Sequence, residues 1–346
     1  MQKASPLPDA AASGRNSSGW LTGVMRSREM SVLAVLGMLG LYMVWSPARQ
    51  TFYSARNIQN VLLNTSLLGI FSIGETVVII TAGIDLSLGS LIGFSGMVLA
   101  GTVTLLDQRL YTLAAVLLGI VATAALALVL GWIHTNLIHK LRLPAFVVTL
   151  VSLLVLRSQA LVMNHHQQIV LDPVKYPLFN WLANGNIGRH FPIPTVVLIL
   201  VAVVTHTVLT RTRMGRYLYS VGSNEQATEL SGVNVFRVKL FAYTCSALLG
   251  CLAGILYAGY GGQGDPQAGL SYELNAVAAA VVGGANLFGG QGSVLGTVLG
   301  ATLLYTILSA INLLLTQPSL WEGTVVGGVL LFAVLTTAIR ERRAAR

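Results

Sequence analysis

The chain has 346 residues, of which 10% are charged and 54% hydrophobic, and its net charge is +9. A soluble globular chain carries about 25% charged residues, so this composition excludes a water-soluble protein, and hydrophobic content with only two cysteines excludes disordered, collagen-like and disulfide-scaffold chains. The 36 glycines suit closely packed membrane helices, and the fold class expected is all-α, a polytopic integral membrane helical bundle.

A spanning helix needs about 20 mainly apolar residues. In chain order, residues 1–29 are polar, rich in Ser, Ala and Pro, and read as a disordered cytoplasmic tail. The membrane region follows over 30–339, with apolar spans predicted at 30–46, 58–83, 88–106, 111–133, 144–163, 194–210, 240–260, 293–316 and 323–339. Residues 272–287 form a tenth segment, short and interrupted by Gly283–Gly284, that either crosses or re-enters. Residues 340–346 form a second basic tail. Trp45, Trp132 and Trp321 fall near span ends, where an amphipathic ring prefers the headgroup level.

With ten crossings and a cytoplasmic N-terminus, fifteen of the 21 basic residues fall inside. They cluster in the two tails, in the 134–143 loop (Lys140, Arg142) and in the 211–239 loop, which holds Arg211, Arg213, Arg216, Arg237 and Lys239. Five fall outside (Arg49, Arg56, Arg109, Lys175, Arg189) and Arg157 lies within a span. This asymmetry sets both termini in the cytoplasm. The charge therefore reports orientation and gives no case for nucleic acid.

Familiar catalytic signatures are missing. A phosphate-binding loop needs Gly-Lys before Ser or Thr, and none of Lys3, Lys140, Lys175 and Lys239 follows a glycine. No histidine precedes a glutamate, so there is no zinc-protease helix, and His165–His166 reads as a solvated pair in an external loop. Gly290-x-Gly292 lies in an apolar segment without a preceding strand and is not a dinucleotide site. Cys245 and Cys251, six apart on one helix, read as two packing residues.

Acids within spans are expensive, about 2.5–3.5 kcal/mol at the bilayer centre on insertion scales, and usually face a bundle interior or a cavity. A rise of about 1.5 Å per residue puts Glu75 roughly 12 Å and Arg157 roughly 20 Å from the cytoplasmic boundary. Two readings follow: a structural ion pair between Glu75 and Arg157, or a place for Glu75 and Thr76 on a solute pathway. Between spans two and three, Gly83-Ile84-Asp85-Leu86-Ser87-Leu88-Gly89-Ser90 breaks the apolar run with an acid, two hydroxyls and two glycines. Helix capping explains part of it; Asp85 and Ser87 join the pathway candidates. Gly284-Ala285-Asn286-Leu287, followed by Gly292-Ser293-Val294-Leu295-Gly296, echoes that segment and adds Asn286. Matching interruptions in two halves of a transporter point toward its binding region.

In the 211–239 loop, Ser223 or Asn224 can cap a short helix from Glu225 to Leu230, with Glu225 and Glu229 near its positive end and Gly232 ending it. This is a docking element in form.

The ordered set of Gly83-Ile-Asp-Leu-Ser-Leu-Gly-Ser, Leu143-Pro-Ala-Phe-Val-Val-Thr-Leu, Gly215-Arg-Tyr, Gly222-Ser-Asn-Glu-Gln-Ala, Leu230-Ser-Gly-Val-Asn-Val and the long Tyr272 to Ser293 block covers about residues 55–335. It resembles the permease subunit of bacterial ATP-binding cassette importers of the ribose, xylose, galactose and autoinducer-2 family. The resemblance implies two permease copies forming one pathway for a monosaccharide or similar polyol. It also implies two cytoplasmic ATP-binding subunits that hold the ATP and Mg, an external sugar-binding protein, and an inner-membrane location. No cofactor is expected on this chain. Asn224, Glu225, Ala227, Glu229, Ser231 and Gly232 would then form the coupling helix. Glu75 stands where the family often has a nonacidic residue, and Leu88 and Asn275 stand where valine and aspartate are common. A proton-coupled transporter using Glu75, and a membrane-embedded enzyme using Glu75, Asp85 or Arg157, are the readings from other classes.

Overall fold

The computed structural model describes residues 28–107, 109–188 and 190–344. The expected N-terminal tail lies outside them, apart from Arg28 and Glu29, which open the first helix. The helices are α1 (Arg28–Val44), α2 (Arg49–Phe52), α3 (Ala55–Ile80), α4 (Leu88–Leu106), α5 (Thr112–Thr135), α6 (Ala145–Met163), α7 (Pro177–Asn184), α8 (Ile193–Arg211), α9 (Arg213–Ser223), α10 (Glu225–Leu230), α11 (Val235–Gly261), α12 (Tyr272–Val282), α13 (Val294–Leu314) and α14 (Pro318–Ala344). Eight of the described helices are long and apolar enough to cross a membrane: α3, α4, α5 with its extension to Lys140, α6, α8, α11, α13 and α14. Two two-residue ribbons, Ile169–Val170 with Gln263–Gly264 and Asn186–Ile187 with Phe191–Pro192, brace the connections on one face.

Helix α3 is the axis. Every residue from Thr65 to Ile80 is buried, which an apolar helix achieves only when other helices cover all its sides. Its neighbours α11 and α13 contribute Tyr243, Ala253, Leu256, Ala301 and Leu304 to the same core. Small residues set the spacing: a Cβ on Gly254 of α11 would meet Ile92 O of α4 at 2.6 Å, and one on Gly300 of α13 would meet Ala279 O of α12 at 2.1 Å. Close backbone approach of this kind replaces the hydrophobic drive that lipid does not supply. Helices α5, α6, α8 and α14 keep most of their apolar surface on the outside, as a lipid-facing ring must.

Several boundaries differ from the sequence expectation. The 211–239 loop contains a second helix, α9, capped by the Thr212 side chain accepting from Gly215 N–H at 3.2 Å. Its polar composition hid it from a search for apolar runs. Helix α14 continues to Ala344, through most of the expected C-terminal tail; residues 345–346 lie outside the described residues. The end of α5 widens into a π turn over Asn136–Lys140.

The tenth segment is a broken span. Helix α12 has 11 residues, about 16 Å at 1.5 Å per residue, half of a hydrocarbon core of about 30 Å. The other half is irregular: the two-residue ribbon Gln263–Gly264 and then a run of turns. From Gly262 the backbone runs down α4: a Cβ on Gly264 would lie 2.8 Å from Gly96 O, and one on Gly269 would lie 2.3 Å from Gly89 O. Gly269 turns with φ +71°, Ser271 with φ +65°, and α12 then carries the chain to the opposite face. Arg157 makes this possible. Its Nη1 donates to Pro266 O at 2.7 Å and Ala268 O at 2.8 Å, and its Nη2 to Gly89 O at 3.2 Å. Irregular backbone at membrane depth needs such protein partners because lipid offers none. The expected Glu75–Arg157 ion pair is therefore corrected: the guanidinium is committed to two carbonyls of the irregular half-span and one of α4.

Candidate functional site

The two echoing segments meet on one face of the bundle. After α3, Asp85 Oδ1 accepts from Ser87 N–H at 3.1 Å; after α12, Asn286 Oδ1 accepts from Phe288 N–H at 3.1 Å. Both are turns in which a short polar side chain bonds two residues onward. Gly290 N–H donates to Ile80 O at 2.9 Å, joining the two turns directly. Helices α3 and α12 thus run toward the same face and α4 and α13 away from it, so the copies are parallel.

Around the first turn lies a polar cluster. Glu75 accepts Asp85 N–H at 3.2 and 3.3 Å, while Asp85 accepts the hydroxyls of Ser87 at 2.5 Å and, across on α11, Ser246 at 2.8 Å. Thr76 contacts Thr297 of α13 at 2.6 Å, hydroxyl to hydroxyl. Exposure is 0% at Glu75 and Thr76, 1% at Asp85 and Ser87, and 8% at Asn286. Of the sequence-predicted pathway residues, Glu75, Asp85 and Ser87 share one buried hydrogen-bonded cluster, Thr76 pairs with Thr297 beside it, and Asn286 bonds within its own turn. Neither the cavity beside Glu225 nor the one beside Asn57 touches any of them.

The polar helix projects from the same face. Asn224 caps α10, its Oδ1 accepting Ala227 N–H at 2.9 Å, while Ser223 bonds back to Tyr219 O. Ser231 Oγ donates to Ala227 O at 2.8 Å, and Gly232 ends the helix at φ +83°. One side is anchored. Lys239 of α11 donates to both Glu225 oxygens at 2.7 and 2.8 Å, and His139 stands 4.0 Å from the same carboxylate. Thr228 is buried beneath the helix, while Ala227, Glu229, Ser231 and Gly232 are exposed and Leu230 is 89% exposed. A cavity of about 630 Å³ separates α10 from the ends of α3, α5 and α6, lined by Thr81, His139, Arg142, Glu225, Lys239 and Tyr243 among others.

Residues 57–335 match the permease component of the branched-chain amino acid transport system family. The chain belongs to this permease family. It is 36% identical over 319 residues to the ribose import permease protein RbsC of Escherichia coli (strain K12), covering 91% of this chain and 95% of the relative. It is 34% identical over 300 residues to RbsC of Bacillus subtilis (strain 168), covering 87% and 90%. It is 32% identical over 340 residues to the xylose transport system permease protein XylH of Haemophilus influenzae, covering 82% and 89%. No solved structure matches the permease. Membership makes it a multi-pass transport subunit, with no enzymatic role implied.

Sequence reasoning missed the face opposite α10. There Asn57, Asn60 and Asn64 of α3 and Tyr305, Ser309 and Asn312 of α13 line a second cavity. The spacings three and four along each helix were a visible signal, obscured because the two sets lie some 250 residues apart in sequence.

Proposed function

We propose that this permease is the membrane-spanning subunit of an ATP-driven importer for a monosaccharide or similar polyol. Two copies, alike or paired with a related chain, form one pathway in the bacterial inner membrane with both termini cytoplasmic. Two cytoplasmic ATP-binding subunits hold the ATP and Mg, and an external binding protein delivers the sugar. The sugar class rests on the relatives named for ribose and xylose.

The observation that carries the coupling role is the anchored, projecting α10. Its base is fixed to α11 through Glu225 and Lys239, so a push on the Leu230 tip is transmitted to a helix packed along α3, α4 and α5. Closure of the ATPase pair on ATP moves the two α10 helices, and the bundle exchanges one open side for the other because packed helices move as bodies. The sealed Glu75–Asp85–Ser246 cluster serves in this reading as the rigid joint between α3 and α11.

Coexpression of the permease with a cytoplasmic ATP-binding subunit and an external sugar-binding protein tests the reading. The complex is expected to copurify and to hydrolyse ATP faster when sugar-loaded binding protein is added. Failure to copurify, together with proton-gradient-driven uptake by the permease alone, overturns it.

A further inference from the structure

The cavity on the face opposite α10 measures about 390 Å³, within the range of about 300–1,000 Å³ typical of small-molecule sites. Asn57, Asn60 and Asn64 share one side of α3, and Tyr305, Ser309 and Asn312 share the facing side of α13. The walls are tied together where Ser309 Oγ donates to Asn57 Oδ1 at 3.0 Å. Glu322 of α14 closes the rim. The floor is Tyr272, the first residue of the half-helix α12. Its ring stacks on Phe71 of α3 at 6.1 Å and 13°, and stands edge-on to Tyr257 at 6.2 Å and 82°. Below it is closed apolar core.

The lining dictates what this space accepts. Carboxamides and phenols offer both donors and acceptors; Asn57 already donates to Phe52 O at 2.9 Å and Asn64 to Asn60 O at 2.8 Å, and the hydrogen-bonding capacity that remains, with that of Asn60 and Asn312, suits a hydroxylated guest better than an apolar one. Among the lining residues there is no Lys, Arg or His, and the one charge is the Glu322 carboxylate, so a phosphorylated or carboxylated guest meets repulsion and no counter-charge. A neutral molecule dense in hydroxyls satisfies the amides, and its C–H faces suit the tyrosine rings.

We propose that this chamber is the permease's own solute site, on the side where solute enters, and that it selects neutral polyols over their phosphorylated forms. The proposal deepens the importer reading and rests on it for the direction of travel. It moves the solute contacts from Glu75, Asp85 and Asn286 to Asn60, Asn64, Tyr272, Tyr305, Ser309 and Glu322.

The test uses the full-length permease in lipid nanodiscs, with Cys245 and Cys251 replaced by Ala and one new cysteine at Asn60→Cys. A water-soluble maleimide reports the chamber, with D-ribose, D-xylose, xylitol and D-ribose 5-phosphate as competing probes at high millimolar concentration. At least one neutral probe is expected to slow labelling about fivefold or more, while the phosphate leaves it unchanged within about twofold. Val174→Cys, in the exposed loop beyond α6, reports a site outside the chamber and is expected to show no protection. If Asn60→Cys fails to assemble, Ser309→Cys on the opposite wall gives the same readout. Protection by no neutral probe, or equal protection by the phosphate, overturns the proposal. Labelling needs no ATPase, so protection in a permease that recruits no ATPase would sink the importer reading and leave the chamber standing.

Discussion

Gly290 donates its N–H to the carbonyl of Ile80 at 2.9 Å, and Gly222 packs against that same carbonyl. One oxygen thus gathers the turn after the broken span, the end of the central helix and the last turn of α9, directly before α10. The polar helix is thus joined to the bundle core at this junction as well as through Lys239.

Gly222→Ala is the sharpest probe of that junction. Its Cβ would lie 1.8 Å from Ile80 O and 2.6 Å from Gly290 N, and both obstacles are backbone. Overpacking of this kind costs about 1–3 kcal/mol. The variant is expected to melt several degrees lower than the parent in detergent, and a parental melting temperature would refute the close packing.

Arg157→Met leaves two carbonyls of buried irregular backbone, those of Pro266 and Ala268, without their donor, at about 1–3 kcal/mol for each group left unpaired. Arg157→Lys restores part of the loss, because an ammonium can donate to the same oxygens and lacks only the planar fork. Hydrogen exchange over residues 262–271 is expected to rise in the order parent, Lys, Met. Equal exchange in all three would show that the irregular half-span holds itself.

Glu75→Gln keeps a side-chain oxygen to accept Asp85 N–H, whereas Glu75→Ala does not. The glutamine variant is expected to assemble and to transport within about twofold of the parent, and the alanine variant to lose about 1–3 kcal/mol for the unpaired N–H. Loss of transport by a fully assembled Gln variant would return Glu75 to the solute pathway or to proton coupling.

Leu230→Asp should separate docking from folding. At 89% exposure the side chain adds nothing to the core, so the melting temperature is expected to stay put while copurification of the ATPase falls at least tenfold. Unchanged copurification would remove α10 from the coupling role.

The loop contact between Asp107 and Lys175 sets a pH window. The hydrogen bond from Lys175 holds the Asp107 carboxyl below its ordinary range, and the same bond raises Lys175. The contribution of Asp107 is therefore present above the unfolded carboxylate value near 4 and is lost as pH falls through its own lower value. That of Lys175 is present below its unfolded value near 10.4 and lost as pH rises through the raised one. Amide protection of residues 171–176, taken relative to intrinsic exchange at each pH, should be greatest between those limits. In Lys175→Met that dependence should flatten; a persisting acid-side loss of protection would assign it to another group.

The amino-acid sequence by itself determined the fold class, the approximate positions of the spans and the limits of α10. All three follow from signals within a few turns of chain: apolar runs long enough to cross, an asparagine able to cap, a glycine able to take positive φ. Asp85 and Asn286 also declared themselves as equivalent turn residues, because each bonds only two residues onward. Tertiary structure alone decided the partners of Arg157, since two of the three carbonyls it serves lie more than a hundred residues away, in a segment whose irregular form no local pattern demands. It likewise decided that the acids between α3 and α11 are sealed, and that asparagines of α3 meet tyrosines of α12 and α13 around an open chamber. A buried polar group and a ligand-binding one carry the same side chain; only the helices packed around it determine which of the two it becomes.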